Sequence, residues 1–109
     1  MSKSATEYLH HIIDEIDFLL KESSTLSEEQ FMYDDVRERA FARSLEVIGE
    51  AVKNIPDEFK TANPTVDWKS FAGLRDKLIH HDFGVDYALV WDVVKNELPA
   101  LKEKLSPLI

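Results

Sequence analysis

Residues 39–56 read RAFARSLEVIGEAVKNIP, and the spacing inside this stretch sets the fold class. Phe41, Leu45, Ile48, Val52 and Ile55 recur at steps of four, three, four and three, which places them on one face of a helix. Beside them runs a stripe of small residues: Ala40, Ser44, Val47 and Ala51. Small side chains let a second helix approach closely, so one stripe serves the core and the other a neighbour. Pro56, with no N–H to donate, ends the helix or begins the next turn. Only 3 glycines and 4 prolines punctuate the chain, and the same helical spacing runs throughout it.

Upstream, Ser27 and Gln30 form a capping box and Leu26 with Phe31 a hydrophobic staple. This helix is therefore expected to run unbroken from Glu28 to Asn54. Before it, residues 4–22 carry Leu9, Ile12, Ile13, Ile16, Leu19 and Leu20 on one face. Downstream, Asp67 caps a third helix that turns Trp68, Phe71, Leu74 and Leu78 inward and is expected to stop at Gly84. Asp86 caps a fourth, with Tyr87, Val90, Trp91, Val94, Leu98, Leu101 and Leu105 on its face. Pro99 should kink it. No stretch reads as a strand. The expected architecture is an all-α, antiparallel four-helix-type bundle filling residues 1–109 as a single domain.

Composition narrows the function. Hydrophobic residues at 44% and charged residues at 31% suit a globular chain rather than a disordered one. No apolar run reaches the roughly 18 residues of a membrane span, and the N-terminus, MSKSATEYLHHIIDE, does not have the pattern of a signal peptide. There is no cysteine, hence no disulfide or thiol chemistry. These features predict a cytoplasmic protein. A net charge of −8 argues against a general nucleic-acid coat, since lysine and arginine drive non-specific phosphate binding. All four arginines lie in two places: Arg37, Arg39 and Arg43 in one segment, Arg75 in another.

The second of those places reads GLRDKLIHHDFGVD, residues 73–86. On a continuous helix His81 extends the Phe71–Leu74–Leu78 core stripe and reads as a core histidine. His80 falls on a polar face with Lys69, Gly73 and Asp76. Asp76, four residues before His80, would then hold one imidazole nitrogen and raise the histidine pKa. Arg75 lies about 140° from His80 around a straight helix. The two converge only if the helix end unwinds or a second subunit supplies one of them. The plain structural alternative pairs Arg75 with Asp82 and leaves the histidines as favourable charges at a helix C-terminus. His10 and His11 have no acidic or cysteine partner at ligand spacing and read as ordinary helix surface and core. No metal cluster, phosphate-cradling glycine loop or Ser-His-Asp set is present, so neither metal nor cofactor is expected. An arginine and a histidine without metal suffice for RNA transesterification. The histidine moves the 2′-hydroxyl proton and the arginine holds the phosphate.

The motif RDKLIH, Arg75 to His80 with Asp76 in the polar second place, resembles the hallmark of the HEPN superfamily. The resemblance is specifically to HepT-like toxins. RAFARSLEVIGEAVKNIP, VDWKSFAGLRDKLIH and FGVDYALVWDVVKNELPALKEKL are similar to HepT segments in the right order, covering nearly the whole chain. The resemblance implies a homodimer, an RNA substrate, a metal-independent endoribonuclease site where two motifs meet across the dimer, and a minimal nucleotidyltransferase antitoxin as partner. It assigns acid–base catalysis to His80, the scissile phosphate to Arg75 and a supporting role to Asp76. Arg39 and Arg43, with Lys77, are candidate RNA contacts at the cleft border. A solvated surface is the plainer reading of that arginine pair, whose helical stripe continues through Glu46 and Glu50.

Many HepT toxins continue the motif as His, any residue, Tyr, and the partner silences them by AMPylating that tyrosine. Here the position is Asp82. Three consequences stay open: neutralisation by binding alone, modification of another residue, or a standing charge at Asp82 that mimics the adenylylated state and weakens the nuclease. The competing reading is a non-catalytic helical module that dimerises and binds the partner without cutting RNA. A nucleotide-binding bundle is a third, supported by the arginines alone.

Overall fold

The computed structural model describes residues 4–80 and 84–109. Helix α1, Ala5–Ser23, begins where the Ser4 hydroxyl accepts the Glu7 N–H at 3.3 Å. Its neighbour α3 spans Asp35–Asn54. The two are antiparallel: Phe18 stacks edge-on against Phe41 at 6.4 Å, and the Ser44 hydroxyl donates to Glu15 at 3.0 Å. Tyr8 and His11 then lie opposite Val47 and Ala51. The small-residue stripe is thus the α1 seam, while Phe41, Leu45, Ile48, Val52 and Ile55 are all at most 2% exposed. Each such side chain contributes about 1.5–3 kcal/mol by leaving water.

The helix expected from Glu28 to Asn54 is two helices. The capping box forms as read, with bonds of 2.9 and 3.1 Å, but α2 ends at Met32. Asp34 then caps α3, accepting the Arg37 N–H at 3.0 Å. Packing dictates the break. Phe31 and Phe41 would lie about 15 Å apart along a straight helix, yet their rings meet at 4.9 Å in the core, with Trp91 5.2 Å from Phe31.

After α4, Asp57–Ala62, the Trp68 indole donates to the Asn63 carbonyl at 2.9 Å and anchors the connection. The third helix is also divided, into α5, Trp68–Ala72, and α6, Leu74–Leu78, with Gly73 between them. Both pack on α3. At the crossing, a Cβ on Gly49 would stand 3.2 Å from the Phe71 carbonyl oxygen, so the glycine permits the close approach.

The last column is one continuous helix: α7, Tyr87–Asp92, a π turn over Val93–Glu97, and α8, Leu98–Leu105. It runs antiparallel to α1, with Lys102 on Asp17 at 2.6 Å and Lys95 reaching the Ser23 carbonyl at 3.5 Å. The expected disturbance at Pro99 takes the form of this π turn, in which the Leu98 N–H bonds to the Val93 carbonyl. Widening the helix just ahead of the proline accommodates its missing donor. The all-α bundle is the observed fold, its third column built from the short pair α5 and α6. No described helix is long and apolar enough to cross a membrane.

Candidate active site

Leu74 and Leu78, each 1% exposed, pin α6 inward and leave Arg75, Asp76 and Lys77 facing solvent. The helix does not continue to Gly84. Ile79 turns extended, and β1, Ile79–His80, pairs antiparallel with β2, Gly84–Val85, placing His80 opposite Gly84. The Asp86 N–H donates to the Leu78 carbonyl at 2.8 Å, while its carboxylate accepts the Leu89 N–H at 3.1 Å. One residue therefore closes the hairpin and starts α7. Gly84 has φ +76°, a region that L side chains rarely adopt.

This hairpin corrects three expectations. A short ladder exists where no strand was expected. Gly84 serves a hairpin and not a helix stop. Asp76 and His80 are not a four-residue helical pair, because His80 has already left the helix. Unwinding was one of the two ways in which Arg75 and His80 could converge, and it occurs between them. Both side chains are exposed. His81 and Asp82 lie outside the described residues, and with them the core reading of His81 and the Arg75–Asp82 pairing.

Arg75 meets a partner that the motif does not contain. Its Nε stands 4.0 Å from Glu46 Oε2, and the same oxygen lies 3.7 Å from Arg43 Nη1. Arg43 also reaches Glu50 at 3.8 Å. Glu46 is thus flanked by two arginines from separate elements. The sequence showed Glu46 three residues after Arg43; nothing in it showed the link to Arg75. Arg39 is exposed farther towards the start of α3, and Lys77 pairs with Glu97 at 3.8 Å. Behind Arg43 a groove of about 300 Å³ runs between α1 and α3, lined by Tyr8, His11, Val47, Glu50 and Asn54. His10 and His11 are both exposed, so neither is a core residue; contrary to the expectation that they have no acidic partner, they share a surface depression with Glu7 and Asp14, three and four residues away on α1. Among the described residues, no three His, Asp or Glu side chains gather in a way that could hold a metal ion.

The shifted pKa values lie elsewhere, at the start of α3. The Arg37 backbone N–H and then its guanidinium, 2.8 Å away, lower the Asp34 carboxyl. Asp34 in turn raises Arg37. Burial, with repulsion from Asp35 and Asp34, raises Glu38. These groups fix the α2–α3 junction.

The chain is therefore an all-α bundle that exposes an arginine on a helix and a histidine on the strand that follows. Residues 9–108 match the family described as Ribonuclease HepT-like, and the chain belongs to that HEPN family. It is 46% identical over 107 residues to the "Putative RNase" of Caldanaerobacter subterraneus subsp. tengcongensis, covering 98% of this chain and 96% of that protein. A "Putative RNase" of Methanocaldococcus jannaschii is 42% identical, over 98% of this chain and 88% of that protein. The "Probable ribonuclease HepT" of Thermococcus cleftensis is 41% identical, over 99% and 98%. No solved structure matches the chain significantly.

Proposed function

We propose that this protein is a metal-independent endoribonuclease of the HEPN type, a homodimer that acts as the toxin held by a minimal nucleotidyltransferase antitoxin. The observation carrying this reading is the end of α6: Arg75 stands exposed on the last helical turns and His80 on the strand that follows. Membership in a ribonuclease family supports the assignment of that pair to RNA.

The chemistry follows from the two side chains. His80 takes the proton of a ribose 2′-hydroxyl, whose oxygen attacks the adjacent phosphorus. Arg75 binds the phosphate oxygens and stabilises the charge that develops on them. The P–O5′ bond breaks, a histidine imidazolium delivers the proton to the leaving 5′-oxygen, and a 2′,3′-cyclic phosphate remains. DNA lacks the nucleophile and is inert. Asp76, exposed beside Arg75, keeps the supporting role that the family motif assigns to it. Association into a dimer brings two such motifs together.

Cleavage of RNA by the purified protein in EDTA tests this directly. His80→Ala and Arg75→Ala are each expected to lower the rate by about 10²–10⁴, the usual contribution of a positioned acid–base group. Wild-type products should carry 2′,3′-cyclic ends. A folded dimer that cuts nothing would establish the non-catalytic binding module, with the charge of Asp82 its natural explanation. Neutralisation has its own test. Asp82→Tyr, mixed with the antitoxin and ATP, should gain an adenylyl adduct by mass spectrometry; no adduct would rule out the simple account in which Asp82 has merely replaced the acceptor tyrosine.

A further inference from the structure

A single catalytic arginine is ordinary for such a site; two arginines sharing one carboxylate oxygen are not required by it. Arg43 and Arg75 approach Glu46 Oε2 from different helices, at 3.7 and 4.0 Å. Two cations held this close form a clamp for more than one phosphate of a strand. Arg75 touches Glu46 through Nε, which leaves its two terminal nitrogens free to fork a phosphate. Arg43, 64% exposed, opens on its other side to the groove of about 300 Å³ between α1 and α3. That groove is lined by a tyrosine and a histidine, whose rings can stack on a nucleobase, by an asparagine, and by Glu50, the second carboxylate that pairs with Arg43 at 3.8 Å. The Asn54 amide donates to the Glu50 carbonyl at 2.8 Å.

We propose that Arg43 and the α1–α3 groove form a second nucleotide subsite for single-stranded RNA, one phosphate removed from the phosphate that Arg75 binds. Glu46 sets the distance between the two arginines. This rests on the proposed ribonuclease reading and extends its site beyond the motif. On a chain of net charge −8, the subsite gives a polyanion two arginines to contact, which Glu46 and Glu50 neutralise until phosphate takes the place of those carboxylates.

The test has a binding arm and a kinetic arm. In the first, the affinity of the protein for a 2′-O-methyl oligoribonucleotide, which cannot be cut by its own 2′-oxygen, is measured against salt. Each phosphate contact contributes a slope of about −0.7 on a log–log plot for single strands. Arg43→Gln should reduce the slope by one such step, Arg75→Gln by another, and the double variant by both. In the second arm, Arg43→Gln should raise KM about tenfold, with kcat unchanged, for an RNA long enough to fill both subsites. For a dinucleotide with one phosphodiester the rise in KM should be much smaller, because only the coupling of Arg43 to Arg75 through Glu46 is then lost. A slope unaltered by Arg43→Gln, or equal losses on the dinucleotide and the longer RNA, would overturn the subsite. If the wild type cuts no RNA, the nuclease reading fails by itself, and the salt slope still decides for or against the clamp. Arg43 is exposed, and an unchanged thermal midpoint shows that its replacement leaves the fold intact.

Discussion

Glu38 is a buried carboxyl that no part of the proposed chemistry uses. It is 8% exposed on the core side of α3, and burial holds its pKa above the ordinary 4.5. A raised folded-state value means that ionisation opposes folding. At pH above that raised value the buried charge costs stability, and below the unfolded value the group is neutral in both states and costs nothing. Glu38→Gln should therefore raise the thermal midpoint at neutral pH, with an advantage that fades as pH falls towards 4.5. An advantage independent of pH would show that the charge is not the cause. Asp34 works in the opposite sense. Its lowered pKa adds stability above the ordinary carboxylate range, lost as pH falls through the lowered value. Arg75 and Glu46 form an exposed ion pair of small intrinsic worth, about 0–1 kcal/mol. That weakness suits a residue that must exchange a carboxylate for a phosphate.

At the scale of elements, the hairpin after α6 matters most. Two ladder pairs and the Asp86–Leu78 hydrogen bond hold it against the bundle. Its backbone needs the positive φ of Gly84, where an added Cβ would meet no atom within 4 Å. A substitution there tests backbone strain without a steric clash. Gly84→Ala should cost about 1–2 kcal/mol, the penalty of a left-handed conformation for an L residue. At about 4–8 °C per kcal/mol, calorimetry would register that as a drop of several degrees. RNA cleavage should fall further than stability suggests, by up to about a hundredfold, because a misplacement near 1 Å at His80 is enough for that. A cleavage rate that is unchanged would mean that hairpin geometry does not position the histidine. The break between α2 and α3 carries a related lesson. The capping box at Ser27 and Gln30 was readable, but the second start at Asp34 was not. A continuous apolar pattern conceals a corner when residues on both sides of it face the same core.

At the scale of the molecule, the proposal requires two chains. Light scattering should give twice the mass of one 109-residue chain at micromolar concentration; a monomer that cleaves RNA would refute a site shared across a dimer.

The sequence by itself determined the helical class, the four columns and the caps at Ser27, Asp67 and Asp86, because periodicity and capping are local properties written within a few residues. It also singled out Arg75 and His80, the pair to which the proposed chemistry is assigned. Only the tertiary structure decided that the helix ends at Leu78, that His80 stands on a strand, and that Arg75 faces Glu46 across the α3–α6 contact. Each depends on residues far apart in the chain. A five-residue helix has few hydrogen bonds of its own with which to resist what its neighbours impose, so packing sets its end, and with it the site.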